Sequence, residues 1–241
     1  MLGYGAVRAI NTPMTRTWNT INSFQTDDGL LQLLKRDEDD FIIKIDNKIL
    51  MNSKLSLTEE ALAVSACEPI ADRAKPRVLI GGLGMGFTLR AALDALPSDA
   101  RVVVAELNSV IVDWCRGPLA ELTQKAVDER RVKLEITDVA LLVEKAAKVK
   151  HRYDAIVLDL YEGTHAASKT EEDPFYGPSA LERTRKALNP GGILTVWTEE
   201  PDEIFEKRAK AVGFDIEKTR PGKGGPRHVV YVATVARKPV R

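Results

Sequence analysis

The chain has 241 residues, in which 35 Lys and Arg balance 35 Asp and Glu, so its formal net charge is zero. That balance speaks against a general electrostatic hold on nucleic acid or on an anionic membrane. At 44% hydrophobic and 29% charged residues the composition is that of a soluble globular protein, and apolar runs such as Val102–Ala105 and Ala155–Leu158 fall far short of the ~20 residues of a membrane-spanning helix.

Residues 1–22 carry polar and charged side chains throughout, without the apolar core of a secretory signal, which makes the expected location cytoplasmic. Two apolar runs follow, Leu30–Lys35 and Phe41–Ile45, split by the charged segment Arg36–Asp40. Asp46-Asn47-Lys48 then turns the chain into Ile49-Leu50-Met51, since Asp and Asn tolerate left-handed backbone angles. These runs form a small β-meander. A helix is expected over Leu57–Ala71, with Thr58-Glu59-Glu60 as its cap and first-turn acids.

From Pro76 strands and helices alternate. Strands are expected at Val78–Ile80, Arg101–Ala105, Val132–Ile136, Tyr153–Leu158 and Gly192–Trp197. Helices are expected at Phe87–Ala95, Ile111–Lys125, Ala140–Lys148, Pro178–Leu188 and Pro201–Val212, and Val229–Ala236 alternates like an antiparallel strand. This rhythm predicts an α/β fold, a Rossmann-like, doubly wound and mostly parallel sheet, with ligands beyond the carboxyl ends of its strands. The expected division is 1–56 for the segment with the meander and 57–241 for the cofactor-binding catalytic domain. Cys67 and Cys115 stand alone, and with His151, His165 and His228 they make no metal-ligand pattern. Two such thiols are expected to be reduced and half-buried.

The first strand runs into Gly81-Gly82-Leu83-Gly84-Met85-Gly86 and then a helix. Glycines there allow a sharp turn and a close approach to a ligand, or serve the turn alone. A dinucleotide fold places its third glycine where this chain has Phe87. The glycines Gly82, Gly84 and Gly86 therefore suit a nucleoside without phosphates better than NAD. Glu106, twenty residues beyond Gly86 at the end of the second strand, can accept hydrogen bonds from vicinal ribose hydroxyls. Asp138 after the third strand can accept one from an adenine amino group, cap the next helix, or both.

Together with Tyr153–Asp159, these residues resemble the class I S-adenosylmethionine-dependent transferases. Within them the chain is most similar to the spermidine synthase, or polyamine aminopropyltransferase, branch. The meander, the segment from Leu50-Met51-Asn52 to Thr58-Glu59-Glu60 in the place of the substrate-gating segment, Asp173-Pro174-Phe175-Tyr176 and the Pro190-Gly191-Gly192 turn carry that likeness across residues 28 to 236. The Pro-Gly-Gly turn is shared with ordinary methyltransferases. The resemblance implies S-adenosylmethionine or its decarboxylated form as cofactor, an amine as acceptor, and, as is common among such enzymes, a homodimer.

Two places depart from the branch. Its first loop carries an aspartate near the aminopropyl tail where this chain has Gly84, which removes a charge that would repel the carboxylate of intact S-adenosylmethionine. Its Asp-Ser-x-Asp-Pro segment becomes Asp159-Leu160-Tyr161-Glu162-Gly163. Asp159, with Glu162, is the expected catalytic acid pair, orienting an amine and accepting its proton; the alternative is that Asp159 caps its loop. Tyr161, Phe175, Tyr176 and Trp197 with Glu199, Glu200 and Asp202 are candidates to cradle a cation, or are core residues and a helix cap. Tyr161–Tyr176 has the length of a lid, and Arg220–Arg227 reads as a solvated hairpin loop. Methyl transfer and aminopropyl transfer both remain open at this level, as does a non-catalytic nucleoside-binding module of the same fold.

Overall fold

The computed structural model describes residues 17–149, 152–161, 163–164, 170–222 and 228–236. Its first sheet is an antiparallel meander of β1 (Asn19–Thr26), β2 (Gly29–Arg36), β3 (Asp40–Ile45) and β4 (Lys48–Asn52). On β2 alternation decides which face is covered, with Leu31 and Leu33 buried, whereas on β3 the four residues Asp40, Phe41, Ile42 and Ile43 are all buried. Asp46 takes φ 47° in the β3–β4 turn, as its side chain type permits, and its carboxylate accepts from the Leu30 N–H at 2.9 Å.

α1 (Leu57–Cys67) follows and ends in a short 3-10 turn over Glu68–Ile70, where Pro69 cannot continue the ladder. Then come β5 (Arg77–Gly81), α2 (Phe87–Ala95), β6 (Arg101–Glu106), α3 (Ser109–Arg116), β7 (Val132–Ile136), α4 (Val139–Ala147) and β8 (Tyr153–Leu158). α5 (Pro178–Ala187), β9 (Leu188–Thr198), α6 (Glu203–Ala211), β10 (Phe214–Thr219) and β11 (Val229–Val235) complete the described chain. The seven-stranded sheet has the order β10-β11-β9-β8-β5-β6-β7. β9, β8, β5, β6 and β7 run parallel, and β11 is antiparallel to β9 and to β10. Strand order reverses between β5 and β8, and the crevice beyond their carboxyl ends is where such a sheet takes a ligand.

The alternating α/β pattern and the mostly parallel sheet agree with the sequence reading. Several elements differ in extent. The expected helix Ile111–Lys125 stops at Arg116, because Gly117 takes a non-helical conformation and Pro118 follows it, and two 3-10 turns replace the rest. The strand expected from Gly192 begins at Leu188, with the Pro-Gly-Gly segment as a register shift opposite Tyr153 and Ala155. α6 starts at Glu203 rather than Pro201, its N-cap being Asp202. Edge strands β1 and β10 were not expected; both are mostly exposed and polar, so they lack an apolar stripe. Cys67 and Cys115 are fully buried rather than half-buried, each at 0% exposure, and both are free thiols.

One continuous core joins the meander to the larger sheet, with Leu33 and Ile43 in the same cluster as Leu62, Ile80 and Val157. Truncating one of these side chains to alanine costs about 2–5 kcal/mol. α1 is tied to the sheet by the Thr195 hydroxyl, which donates to the Leu62 carbonyl at 3.1 Å. Among the described residues no helix is long and apolar enough to cross a membrane.

A polar knot closes the other end. The Asp154 carboxylate on β8 accepts from the Arg73 guanidinium at 2.7 Å, the Arg77 N–H at 2.9 Å and the Asn189 amide at 2.9 Å. Arg73 also donates to the Gly191 carbonyl at 2.5 Å. Asp154→Ala leaves these donors without their acceptor and is expected to lower stability by about 3 kcal/mol. Denaturant unfolding with an unchanged m-value checks this; a loss below about 1 kcal/mol would show that the knot is not structural.

Candidate functional site

β5 and β8 are hydrogen-bonded neighbours, so the glycine loop after β5 and Asp159 after β8 emerge side by side. The Asp159 N–H donates to the Gly81 carbonyl at 2.9 Å. Gly82 has φ +88°, and a Cβ there would lie 2.3 Å from the Asp159 carbonyl oxygen. Gly84, at φ +51°, meets a different neighbour: a Cβ would sit 2.9 Å from the Met51 sulfur. That sulfur accepts from the Met85 N–H at 3.1 Å, and the Cys115 thiol donates to the Gly84 carbonyl at 3.3 Å. The loop is thus held between β4 and α3.

A cavity of about 650 Å³ opens at these strand ends. Gly82, Gly84, Glu106, Asp138 and Asp159 form one side, and Leu31, Ile43, Leu50 and Met51 of the meander form another. The amino end of α1 adds Thr58 and Glu59, and Tyr161, Phe175, Trp197 and His228 complete the wall. The His228 ring packs on Trp197, centroids 5.2 Å apart, and its Nδ1 is 3.0 Å from the Thr58 hydroxyl. Trp197 in turn donates its indole N–H to the Leu160 carbonyl at 2.8 Å.

Five carboxylates border this cavity, on Asp28, Glu59, Glu106, Asp138 and Asp159, and among the described residues no Lys or Arg does. Such a wall concentrates negative potential and favours a cationic ligand. Lys48 reaches the rim, where its ammonium lies 4.3 Å from the centre of the Tyr161 ring. The aromatic face expected to cradle a substrate cation is therefore covered by a cation of the chain itself.

Glu106 is 9% exposed. Its two carboxylate oxygens accept from the Leu83 and Asn108 N–H groups, each at 2.9 Å. Burial raises its pKa, and these backbone donors oppose the rise. Asp138 caps α4, one oxygen accepting from the Ala140 N–H at 2.8 Å. Each of these acids retains lone pairs for a ligand hydroxyl or amino group. Asp159 accepts from the Thr88 hydroxyl of α2 at 2.5 Å. Burial pushes its pKa up to about 6 despite that bond. Glu59 is pushed up to about 7, first by burial and then by the charge of Asp159.

Of the residues singled out in the sequence, Gly82, Gly84, Glu106, Asp138, Asp159 and Tyr161 border the cavity. Gly86 stands behind it as the N-cap of α2, with φ +87°. Tyr176 does not border it: at 1% exposure the ring lies in the core, edge-on to Phe205 with centroids 6.0 Å apart. Glu199 is exposed to solvent away from the cavity, and Asp202 caps α6. Glu162 lies outside the described residues, as do residues 165–169 of the expected lid and 223–227 of the basic loop. Sequence reasoning passed over Asp28, Thr88 and His228. It explained Glu59 as an acid of a helix first turn, where such residues are common.

A second cavity, also of about 650 Å³, lies at the amino ends of the parallel strands. It has the opposite character, with Arg77, Arg101, Arg130, Arg131, Lys133 and Lys145 around Asp99 and Glu135. Of these two cavities, the one walled by carboxylates is at the carboxyl ends of the strands.

The spermine/spermidine synthase domain matches residues 69–211, more than half of the chain. The polyamine aminopropyltransferase of Pyrobaculum calidifontis is 33% identical over 126 residues, 52% of this chain and 42% of that one. Polyamine aminopropyltransferase 1 of Pseudomonas aeruginosa is 31% identical over 147 residues, 61% of this chain and 48% of the other. The chain thus spans less than half the length of either curated relative. Spermidine synthase from Thermotoga maritima superposes with a TM-score of 0.69 at 19% identity, over 92% of this chain and 74% of that one. A spermidine synthase in complex with the transition-state analogue AdoDATO gives 0.68, also at 19% identity. At these identities the likeness is one of fold, the class I methyltransferase-like sheet. With the domain matched over most of the larger sheet, the chain belongs to the spermine/spermidine synthase family.

Proposed function

We propose that this chain transfers an aminopropyl group from decarboxylated S-adenosylmethionine to an amine of the polyamine class. The observation that carries the reading is the wall of five carboxylates without a bordering Lys or Arg among the described residues. A sulfonium nucleoside with an ammonium tail and an amine acceptor are both cations, and both match that wall. The carboxylate of intact S-adenosylmethionine would enter the same field without a partner cation, at a cost of several kcal/mol if unscreened at close range. Gly84 removes one repelling charge from the loop, but Glu59 and Asp159 remain on the cavity wall. This balance favours aminopropyl over methyl transfer, and the family membership and the analogue-bound structural neighbour support it.

In this reading Glu106 accepts from the ribose hydroxyls through the lone pairs its backbone donors leave free. Asp138 accepts from the adenine amino group with the oxygen not engaged at Ala140. When bound, the sulfonium nucleoside supplies an electrophilic carbon beside its sulfur. Asp159 orients the attacking amine and accepts the proton that the nitrogen sheds on forming its new bond. The Thr88 hydroxyl fixes the carboxylate that does so. Displacement at carbon needs little more than alignment, so positioning supplies much of the rate. A homodimer and a cytoplasmic location accompany this proposal as the usual state of such enzymes.

Calorimetric titration tests the cofactor. The decarboxylated form is expected to bind at least about tenfold, 1.4 kcal/mol, more tightly than the intact one. The reverse preference would turn the reading to methyl transfer, and binding of neither would end it. Asp159→Asn is expected to lower kcat by about 10²–10⁴-fold, the range of a lost general base, while cofactor affinity stays within about threefold. Unchanged turnover would remove Asp159 from the mechanism.

The raised pKa of Asp159 also predicts a pH profile. Below about 6 the carboxyl is protonated and cannot accept a proton. The rate with a polyamine acceptor is therefore expected to fall as pH drops through that value. In Asp159→Asn the residual rate at saturating amine should lack this acid limb.

A further inference from the structure

Two neighbouring glutamates open α1 and do different things. Glu60 is exposed and accepts from the Ser56 hydroxyl at 2.7 Å, the ordinary work of a helix start. Glu59 is half-buried and borders the cavity. Among the described residues no Lys or Arg forms an ion pair with it. Its helix turn is locked to the catalytic strand end, because the Thr88 hydroxyl that donates to Asp159 at 2.5 Å also lies 3.5 Å from the Glu59 carbonyl. On the opposite flank, Thr58 is held by His228, which packs on Trp197. The position of Glu59 is therefore set from both sides, and among the described residues its charge has no Lys or Arg partner to neutralise it.

The titratable groups nearest in its surroundings are Glu60 on its own helix, Asp159 after β8 and His228 before β11. Tyr161, under Lys48, stands at the rim, and Asp28, Glu106 and Asp138 lie on the cavity's other walls. Among the described residues that border the cavity there is no Lys or Arg.

We infer that Glu59 is a second carboxylate of the acceptor site, and that together with Asp159 it holds the reacting amine of a polyamine as its ammonium. That ammonium gives its proton to Asp159, so that the nitrogen lone pair can form the new C–N bond as the C–S bond breaks. This inference rests on reading the cavity as an amine site. Two carboxylates that sense one another in a protein-lined cavity do not both ionise freely, so near neutral pH the empty pair retains part of a proton. An ammonium ion removes the reason for keeping it. Amine binding should therefore expel a proton, and affinity should be full above about pH 7, where both acids are ionised, and fall toward pH 6. Glu59 binds and orients, and Asp159 takes the proton in the reaction.

The test is calorimetric titration of the full chain with 1,4-diaminobutane, in the presence of saturating 5′-methylthioadenosine, an uncharged nucleoside. It is run at pH 6 and pH 8 in buffers of different ionisation enthalpy. The native protein is expected to lose about tenfold in affinity between pH 8 and pH 6, with heats that depend on the buffer because a proton leaves. Glu59→Gln is expected to bind the diamine at least about tenfold more weakly at pH 8, to release less proton, and to raise KM for the amine more than it lowers kcat. Glu59→Asp, which keeps the charge, should retain the pH response. Methylthioadenosine affinity, set on the Glu106 side, should be the same in all three proteins and reports that they are folded. Native affinity and native proton release in Glu59→Gln would overturn the inference while leaving the amine site in place. A native protein that binds methylthioadenosine and no diamine would overturn the amine reading itself, and the inference with it.

Discussion

Everything at the functional end of this molecule depends on two pieces of backbone that touch. Gly82 after β5 and the carbonyl of Asp159 after β8 lie so close that no Cβ can stand between them. The contact follows from the reversal of strand order, which makes β5 and β8 neighbours although about 75 residues of chain separate them. It sets the glycine loop beside Asp159, the two groups to which the proposed function gives the nucleoside and the proton. Burial of Ile80 and Val157 in the layers behind holds the two strands in register. Core packing thereby fixes the glycine loop against Asp159, with no flexible segment in between.

A second constraint is electrostatic. The chain as a whole is neutral, yet its charges are sorted. Carboxylates collect at the carboxyl ends of the parallel strands, and arginines and lysines collect at the amino ends. Holding unpaired carboxylates in a partly enclosed cavity opposes folding, and the raised pKa values of Asp159, Glu59 and Glu106 express that opposition. The rest of the structure offsets it. A cation among these carboxylates would relieve it.

The alternating α/β pattern, the glycine loop, Glu106, Asp138 and Asp159 were all legible in the sequence, because each stands at a strand end whose apolar run announces it. Residues that reach the cavity from outside this pattern were not. Glu59 satisfies the rule for a helix first turn, and the resemblance set its whole segment in the gating position without separating it from Glu60; only the packing of α1 on α2 and β9 turns Glu59 inward. Tyr176 failed in the other direction. An aromatic near the crevice is attractive as a ligand contact, but the packing of α5 and α6 carries the ring into the core against Phe205. The shortened α3 shows a local signal set aside, since Gly117-Pro118 was present in the expected helix and stopped it.

Met51 carries a consequence for how this loop can change. Position 84 has φ +51°, an angle that aspartate tolerates better than most residues. The backbone would therefore admit an acid there, and the group in its way is the Met51 sulfur from β4, at the far end of a flexible side chain. An acidic side chain at 84 requires that thioether to swing aside, which withdraws the sulfur from the Met85 N–H and loosens the loop. The two positions are thus mechanically coupled across the boundary between the meander and the larger sheet, although neither residue is charged and 33 positions separate them in the chain.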